Sequence, residues 1–174
     1  MGKRDVVVYS EDYKKLVDAA ALKDKYYEID ERVEEICKEA FKGCDKLEEI
    51  VMPKKLKKID SEAFCGCSGL TELTLPNSVK SIGDGAFAYC SGMTELTLPN
   101  SVTSIGDGAF GDCSGLSKIT SLAEIPPVCG SGVFDRVNKT NCELIVPVIS
   151  VIAYKQAEVW NEFSNIRGFV GEKK

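Results

Sequence analysis

The residues of this sequence best placed to do chemistry are its eight cysteines, which could serve as nucleophiles, metal ligands or disulfide partners. Four of them, Cys44, Cys67, Cys90 and Cys113, recur at intervals of 23 residues. Histidine is absent, which removes the commonest general base, the Cys–His and Ser–His nucleophile pairs and the commonest metal ligand together. Cys65-x-Cys67 lacks the C-x-x-C spacing of a zinc site and has no second pair to complete one. No catalytic residue, metal or cofactor is expected. A thiol enzyme working through Cys65 or Cys129 is the weakest function class the sequence allows.

Residues at equivalent slots of stacked strands lie about 4.8 Å apart, a Cα separation that a disulfide can span. Side chains stacked in parallel point the same way, however, so the four periodic cysteines are read as a reduced, packed ladder. Cys129 and Cys142 stand outside it, in the terminal coil, and are the first choice if any bridge exists. Gly83-x-Gly85, Gly106-x-Gly108 and Gly130-x-Gly132 look like fragments of a phosphate-cradling loop, but none has a third glycine in phase or a following lysine. They are read as turns. Lys54-Lys55-Leu56-Lys57-Lys58 invites a nucleic-acid reading, yet 23 residues before Lys57 and Lys58 stand Glu34 and Glu35. Stacked coils would pair them, favouring one register. Asn138-Lys139-Thr140 is a glycosylation sequon, meaningful only after export from a eukaryotic cell.

The elements that must position these residues come from one repeat. Leu70 to Gly92 reads LTELTLPNSVKSIGDGAFAYCSG, and Met93 to Gly115 matches it at 19 of 23 positions. The ladder holds Phe41, Phe64, Phe87 and Phe110 in one slot. Val33, Leu56, Val79 and Val102 share a second, and Ile36, Ile59, Ile82 and Ile105 a third. Leu73 and Leu75 alternate as in a half-buried strand, and Pro76 ends it by removing a donor. No coil can bury its own apolar edge, so neighbours must stack.

The period extends back to Tyr27 and Ile29, giving a first strand over Lys25–Ile29. Before it, Ser10 followed by Tyr13, Leu16, Val17, Ala20 and Ala21 has helical spacing with an N-cap. Beyond the repeats, Leu116, Ile119 and Ser121 give a strand, Ile125-Pro126-Pro127 through Phe134 an irregular coil, and Leu144 and Val146 another strand. Ser150 to Phe163 reads as helix, with Ala153, Tyr154, Ala157 and Trp160 along it, and Ile166 and Phe169 as a last strand.

The expected fold is a leucine-rich-repeat solenoid of the α/β class, mostly short parallel β-strands and turns. It has an N-terminal helical cap and a helix-containing C-terminal cap. At 174 residues one domain is expected, with the cap over 1–24, 23-residue repeats over 25–121, and a terminal coil and cap over 122–174.

These residues resemble the BspA-like leucine-rich repeats of bacterial surface proteins, a family marked by its 23-residue period. The motif from Cys through the spaced leucines and Pro to Ile-x-x-x-Ala-Phe occurs four times, counting the degenerate coil before Cys44, and the resemblance runs from Tyr27 to Ile166. It implies an exported protein, often part of a larger one, and for some members adhesion to host matrix proteins or to other cells. It carries over core residues and no binding residue.

Such solenoids usually bind on the concave face of their strands. Its outward slots are Tyr26, Glu49, Glu72, Glu95 and Lys118 in one row, and Glu28, Val51, Thr74, Thr97 and Thr120 in the next. The binding candidates are Tyr26, Glu49, Glu72, Thr74, Glu95, Thr97 and Lys118. Glutamates stacked at about 5 Å repel by about 1 kcal/mol per neighbouring pair in water. The row either serves a basic partner or copies one solvated Glu through duplication. Net charge of −5 and a pI near 5.0 disfavour nucleic acid and anionic membrane.

Two readings stay open. One is a non-catalytic recognition module, adhesin-like, that binds a protein or glycan ligand as a monomer. The other is a rigid spacer within a larger surface protein. With no run of eighteen apolar residues, no membrane insertion is expected. Met1 to Val6 lacks the core of a signal peptide, and Gly2 is not followed by Ser or Thr at position 6, so it is no myristoylation site. The resemblance implies the cell surface or secretion; the chain's own start fits a cytoplasmic protein or one whose export signal has been removed.

Overall fold

Alternation of inward and outward residues over three to five positions, ended by Pro or a polar turn, builds one strand per coil; a second pair of residues builds another on the opposite side. The computed structural model describes residues 6–171; the signal-peptide and Gly2 readings, and the first five residues of the expected cap, fall largely outside them. The chain runs β1 Val8–Tyr9, β2 Lys15–Asp18, β3 Tyr26–Glu28, β4 Glu35–Ile36, β5 Glu49–Val51, β6 Lys58–Ile59 and β7 Glu72–Thr74. It continues through β8 Ser81–Ile82, β9 Glu95–Leu98, β10 Ser104–Ile105, β11 Lys118–Ser121, β12 Val128–Cys129, β13 Glu143–Pro147, helix α1 Val151–Gln156 and β14 Asn165–Phe169.

The shorter strands, of two residues each, stack with the four-residue β2 into a seven-stranded sheet, ordered β1-β2-β4-β6-β8-β10-β12 and parallel except at β1. The longer strands form a five-stranded sheet, β14-β13-β11-β9-β7, and a separate pair, β3-β5. Between the sheets the periodic slots are closed to water: Phe41, Phe64, Phe87 and Phe110 are each 0% exposed. Their rings stack at 4.8, 5.0 and 5.4 Å with interplanar angles of 6° or less, and Phe134 joins them at 5.7 Å. A parallel solenoid is therefore the fold.

Close stacking explains one glycine and handedness another. A Cβ on Gly83 would lie 2.6 Å from the backbone nitrogen of Ser61 in the coil before, too near to accommodate. Two positions in each of five coils adopt left-handed backbone, and glycine alternates between them: Glu39 with Gly43, Glu62 with Gly66, Gly85 with Tyr89, Gly108 with Asp112, Gly132 with Arg136.

Two expectations are corrected. The N-terminal cap is not helical. The Ser10 hydroxyl accepts from Lys15 N–H at 3.0 Å and donates to Asp12 at 2.7 Å, closing a hairpin turn in which Tyr13 has φ 58°. Strand β2 then supplies the rung that β4 needs, with Leu16 opposite Ile36 and fully buried while Val17 faces outward. Twenty residues rather than 23 separate Leu16 from Ile36, so this shortened coil had dropped out of the repeat pattern.

The helix expected over Ser150–Phe163 is cut to α1, with 3-10 turns at Val148–Ser150 and Trp160–Glu162. Val159, at φ 70°, redirects the chain. On one straight helix, residues six apart face different ways; here Tyr154 and Trp160 must both be buried and in contact, at 5.3 Å. Trp160 and Phe163 close the aromatic column over Phe134. All eight cysteines are free, Cys129 and Cys142 among them.

Candidate recognition face

The outward face of the longer strands collects the residues expected to bind. Parallel pairing sets Tyr26 beside Glu49, and Glu72 beside Glu95, which in turn lies beside Lys118. In the second row Thr74, Thr97 and Thr120 are aligned in the same way. The inward partners that hold these rows, Leu73, Leu96 and Ile119, are at most 2% exposed. Alternation alone thus turns the candidates outward. Glu49 and Glu72 are not brought together by hydrogen bonding, because β5 and β7 belong to different sheets.

Charge is distributed unevenly along this face. Glu95 is engaged by Lys118 at 3.2 Å, and Glu48 by Lys25 at 2.7 Å. The Tyr26 hydroxyl donates to Glu28 at 3.5 Å; slight desolvation, then the charges of Glu28 and Glu49, raise the Tyr26 pKa. Among the ion pairs of the described residues, none includes Glu49 or Glu72. Among the described residues, the row of three glutamates therefore holds two that no lysine or arginine pairs with.

Sequence reasoning missed the far end of the face. Glu143 extends the first row beyond Lys118, and Ile145 and Arg167 extend the second, with Arg167 pairing to Glu143 at 3.2 Å. The step from Lys118 to Glu143 is 25 residues, so a strict 23-residue period skips it. The inward Leu144 and Val146 were recognised, and their outward neighbours could have been found from that alternation.

The lysine run also falls into place. Lys57 meets Glu34 at 2.5 Å and Lys58 meets Glu35 at 3.5 Å; Lys14 and Lys15 approach the same glutamates from the coil before. Lys57 and Lys58 are thus spent on the glutamates of the coil before, while Lys54 and Lys55 stand exposed. The ladder thiols are likewise committed to packing. Cys67, Cys90 and Cys113 donate to the carbonyls of Phe41, Phe64 and Phe87 at 3.1–3.2 Å. Burial raises the pKa of Cys65, and raises Cys129 to about 12 and Cys142 to about 11. No helix among the described residues is long and apolar enough to cross a membrane.

A family model described as a BspA type leucine-rich repeat region matches residues 21–141 in six copies. Among solved structures, the chain is similar to the pneumococcal vaccine antigen PcpA at 19% identity and a TM-score of 0.70, over 97% of this chain and 46% of that one. It is similar to the leucine-rich repeat protein of T. pallidum at 24% identity and a TM-score of 0.60, over 75% of this chain and 86% of that one. A leucine-rich repeat protein from Bacteroides ovatus gives 24% identity and a TM-score of 0.56, over 85% and 48%. The chain spans about half the length of the first and last of these. At such identities the likeness is one of fold. No curated protein matches the chain.

Proposed function

The chain belongs to the BspA-type leucine-rich repeat family, and from that premise we propose that it is a non-catalytic recognition module, displayed at a cell surface or secreted. It binds a protein or glycan ligand, best a basic one, across the outward face of its longer strands. Tyr26, Glu49, Glu72, Thr74, Glu95, Thr97 and Lys118 form the contact surface. One observation carries the reading: Glu49 and Glu72 stand exposed in a row and, among the described residues, pair with no cation, where Glu95 has Lys118. A fold does not require carboxylates left in this state. The absence of histidine and the raised pKa of Cys65 and Cys129 support a non-catalytic role, since the thiolate is the nucleophile.

The test is binding of the full chain to immobilised extracellular-matrix proteins at low and moderate salt, beside the Glu49→Gln, Glu72→Gln double variant. The expected result is saturable binding that weakens at least about five-fold in the variant and with added salt. Unchanged affinity in the variant refutes the acidic face as the contact. A second reading, a rigid spacer of a larger surface protein, is favoured by one fact: the chain matches about half of PcpA. It predicts that the isolated chain binds none of these proteins.

A further inference from the structure

The two ends of the aromatic column are closed differently. At the C-terminal end Trp160 lies over Phe134 and is 0% exposed. At the N-terminal end Tyr27 lies over Phe41 at 6.0 Å and is only partly buried. Above Tyr27 is an open cavity of about 700 Å³, to which Tyr9, Tyr13 and Tyr27 contribute one wall. Val6, Val8 and Leu22 supply apolar surface, and Glu11 and Asp24 supply carboxylates.

This wall is fixed from behind. Asp30 holds the Arg32 guanidinium through two hydrogen bonds of 2.8 Å. The guanidinium lies 3.9 Å over the Tyr13 ring. Tyr13 stacks on Tyr9 at 5.3 Å, and the Tyr9 and Tyr27 hydroxyls are 2.6 Å apart. Within that hydroxyl pair one proton is shared, which leaves the second without an acceptor among the described contacts. Burial, then the bond to Tyr9, raise the Tyr27 pKa well above the ordinary phenol value, so the donor is retained near neutrality.

A rigid aromatic and aliphatic wall, one spare phenolic donor and two carboxylate acceptors suit a ring that is apolar on one face and hydroxylated at its edge. From this juxtaposition we propose that the N-terminal cavity is a binding site for an uncharged pyranose sugar, separate from the face of the longer strands. The C–H face of the sugar packs on the wall. Its hydroxyls donate to Asp24 and Glu11, and one of its oxygens accepts from the tyrosine pair. Pre-organisation of the wall by Arg32 lowers the ordering cost of binding, and a single sugar in so open a site should bind with a dissociation constant on the order of 1 mM.

The experiment is saturation-transfer NMR on the full chain with methyl β-D-glucopyranoside and methyl N-acetyl-β-D-glucosaminide as probes, and tyramine as an aromatic cation. The expected result is saturable binding of at least one glycoside, weakened about five-fold by Asp24→Asn. Asp24 is exposed and its side chain makes no hydrogen bond or ion pair among the described residues, so Asp24→Asn tests the site without endangering the fold. Glu72→Gln should leave glycoside binding unchanged, which separates this site from the acidic face. No saturable glycoside binding up to about 100 mM, equal binding in Asp24→Asn, or binding of tyramine alone would overturn the assignment.

Discussion

The thiol of Cys90 donates to the carbonyl oxygen of Phe64, 26 residues earlier, at 3.2 Å, and the same oxygen accepts the Cys67 N–H at 3.1 Å. Cys67 and Cys113 repeat the arrangement with Phe41 and Phe87. The cysteine slot therefore joins each coil to the one before through a weak donor, while the backbone donor keeps the carbonyl satisfied. Cys90→Ala should cost about 1–2 kcal/mol, mainly from the small cavity left behind, as read by urea denaturation. A loss above about 4 kcal/mol would mean that the thiol does more than pack.

Burial raises the thiol pKa values, Cys142 to about 11 and Cys129 to about 12 from an ordinary value of 9.0. A group that holds its proton more tightly when folded contributes stability that is whole below the unfolded pKa. That contribution is lost as pH rises through the folded one. Melting temperature should therefore fall from about pH 9 upward. Thiol-reactive dye at pH 8 should label Cys37 and Cys65, which are partly exposed, before the four ladder cysteines. Rapid labelling of Cys90 in the native protein would contradict the ladder.

The left-handed columns make a cleaner stability test. Gly66 has φ 76°, and a Cβ there would meet nothing closer than 3.7 Å. Gly66→Ala isolates the backbone cost and should destabilise by about 1 kcal/mol. Tyr89, in the same column at φ 60° and 59% exposed, should gain about 0.5–1 kcal/mol when replaced by glycine. Opposite signs at two positions 23 residues apart are the expected signature in chemical denaturation.

What could be read from the chain in advance followed from regularity. The Phe, Ile and Cys slots repeat at fixed spacing, and stacking alone then dictates their columns and the outward rows beside them. Where the spacing changes, foresight fails. Leu16 precedes Ile36 by 20 residues, and a period of i, i+3, i+7 there imitates a helix although the segment is needed as an edge rung. Val159 breaks the C-terminal helix because Tyr154 must reach the carbonyl of Ala123 at 2.9 Å while Trp160 reaches that of Pro127 at 2.9 Å, a tertiary demand that local pattern does not contain. The acidic row was visible, but not which of its members Lys118 neutralises, since that depends on side-chain reach. The tyrosine wall joins residues from a cap read as helical and was invisible for that reason.

Charge pairing across coils gives the last prediction. Glu34 lies between Lys14 and Lys57, and Glu35 between Lys15 and Lys58. The hydrogen bond and charge of Lys57 hold the Glu34 carboxyl below its ordinary pKa, and Arg32 lowers Asp30 to about 2. Carboxyls held low contribute stability that is present above their unfolded pKa, near 4, and lost as pH falls through the folded values. Stability should thus decline between about pH 4 and pH 2. Replacing both glutamates by lysine puts like charges beside all four partners, so the melting temperature at low salt should drop by at least about 2 °C. Added salt should recover part of that loss, because the lysine partners are solvent-exposed and screened. A double variant that melts with wild-type behaviour at low salt would show that the N-terminal register is set by the core alone.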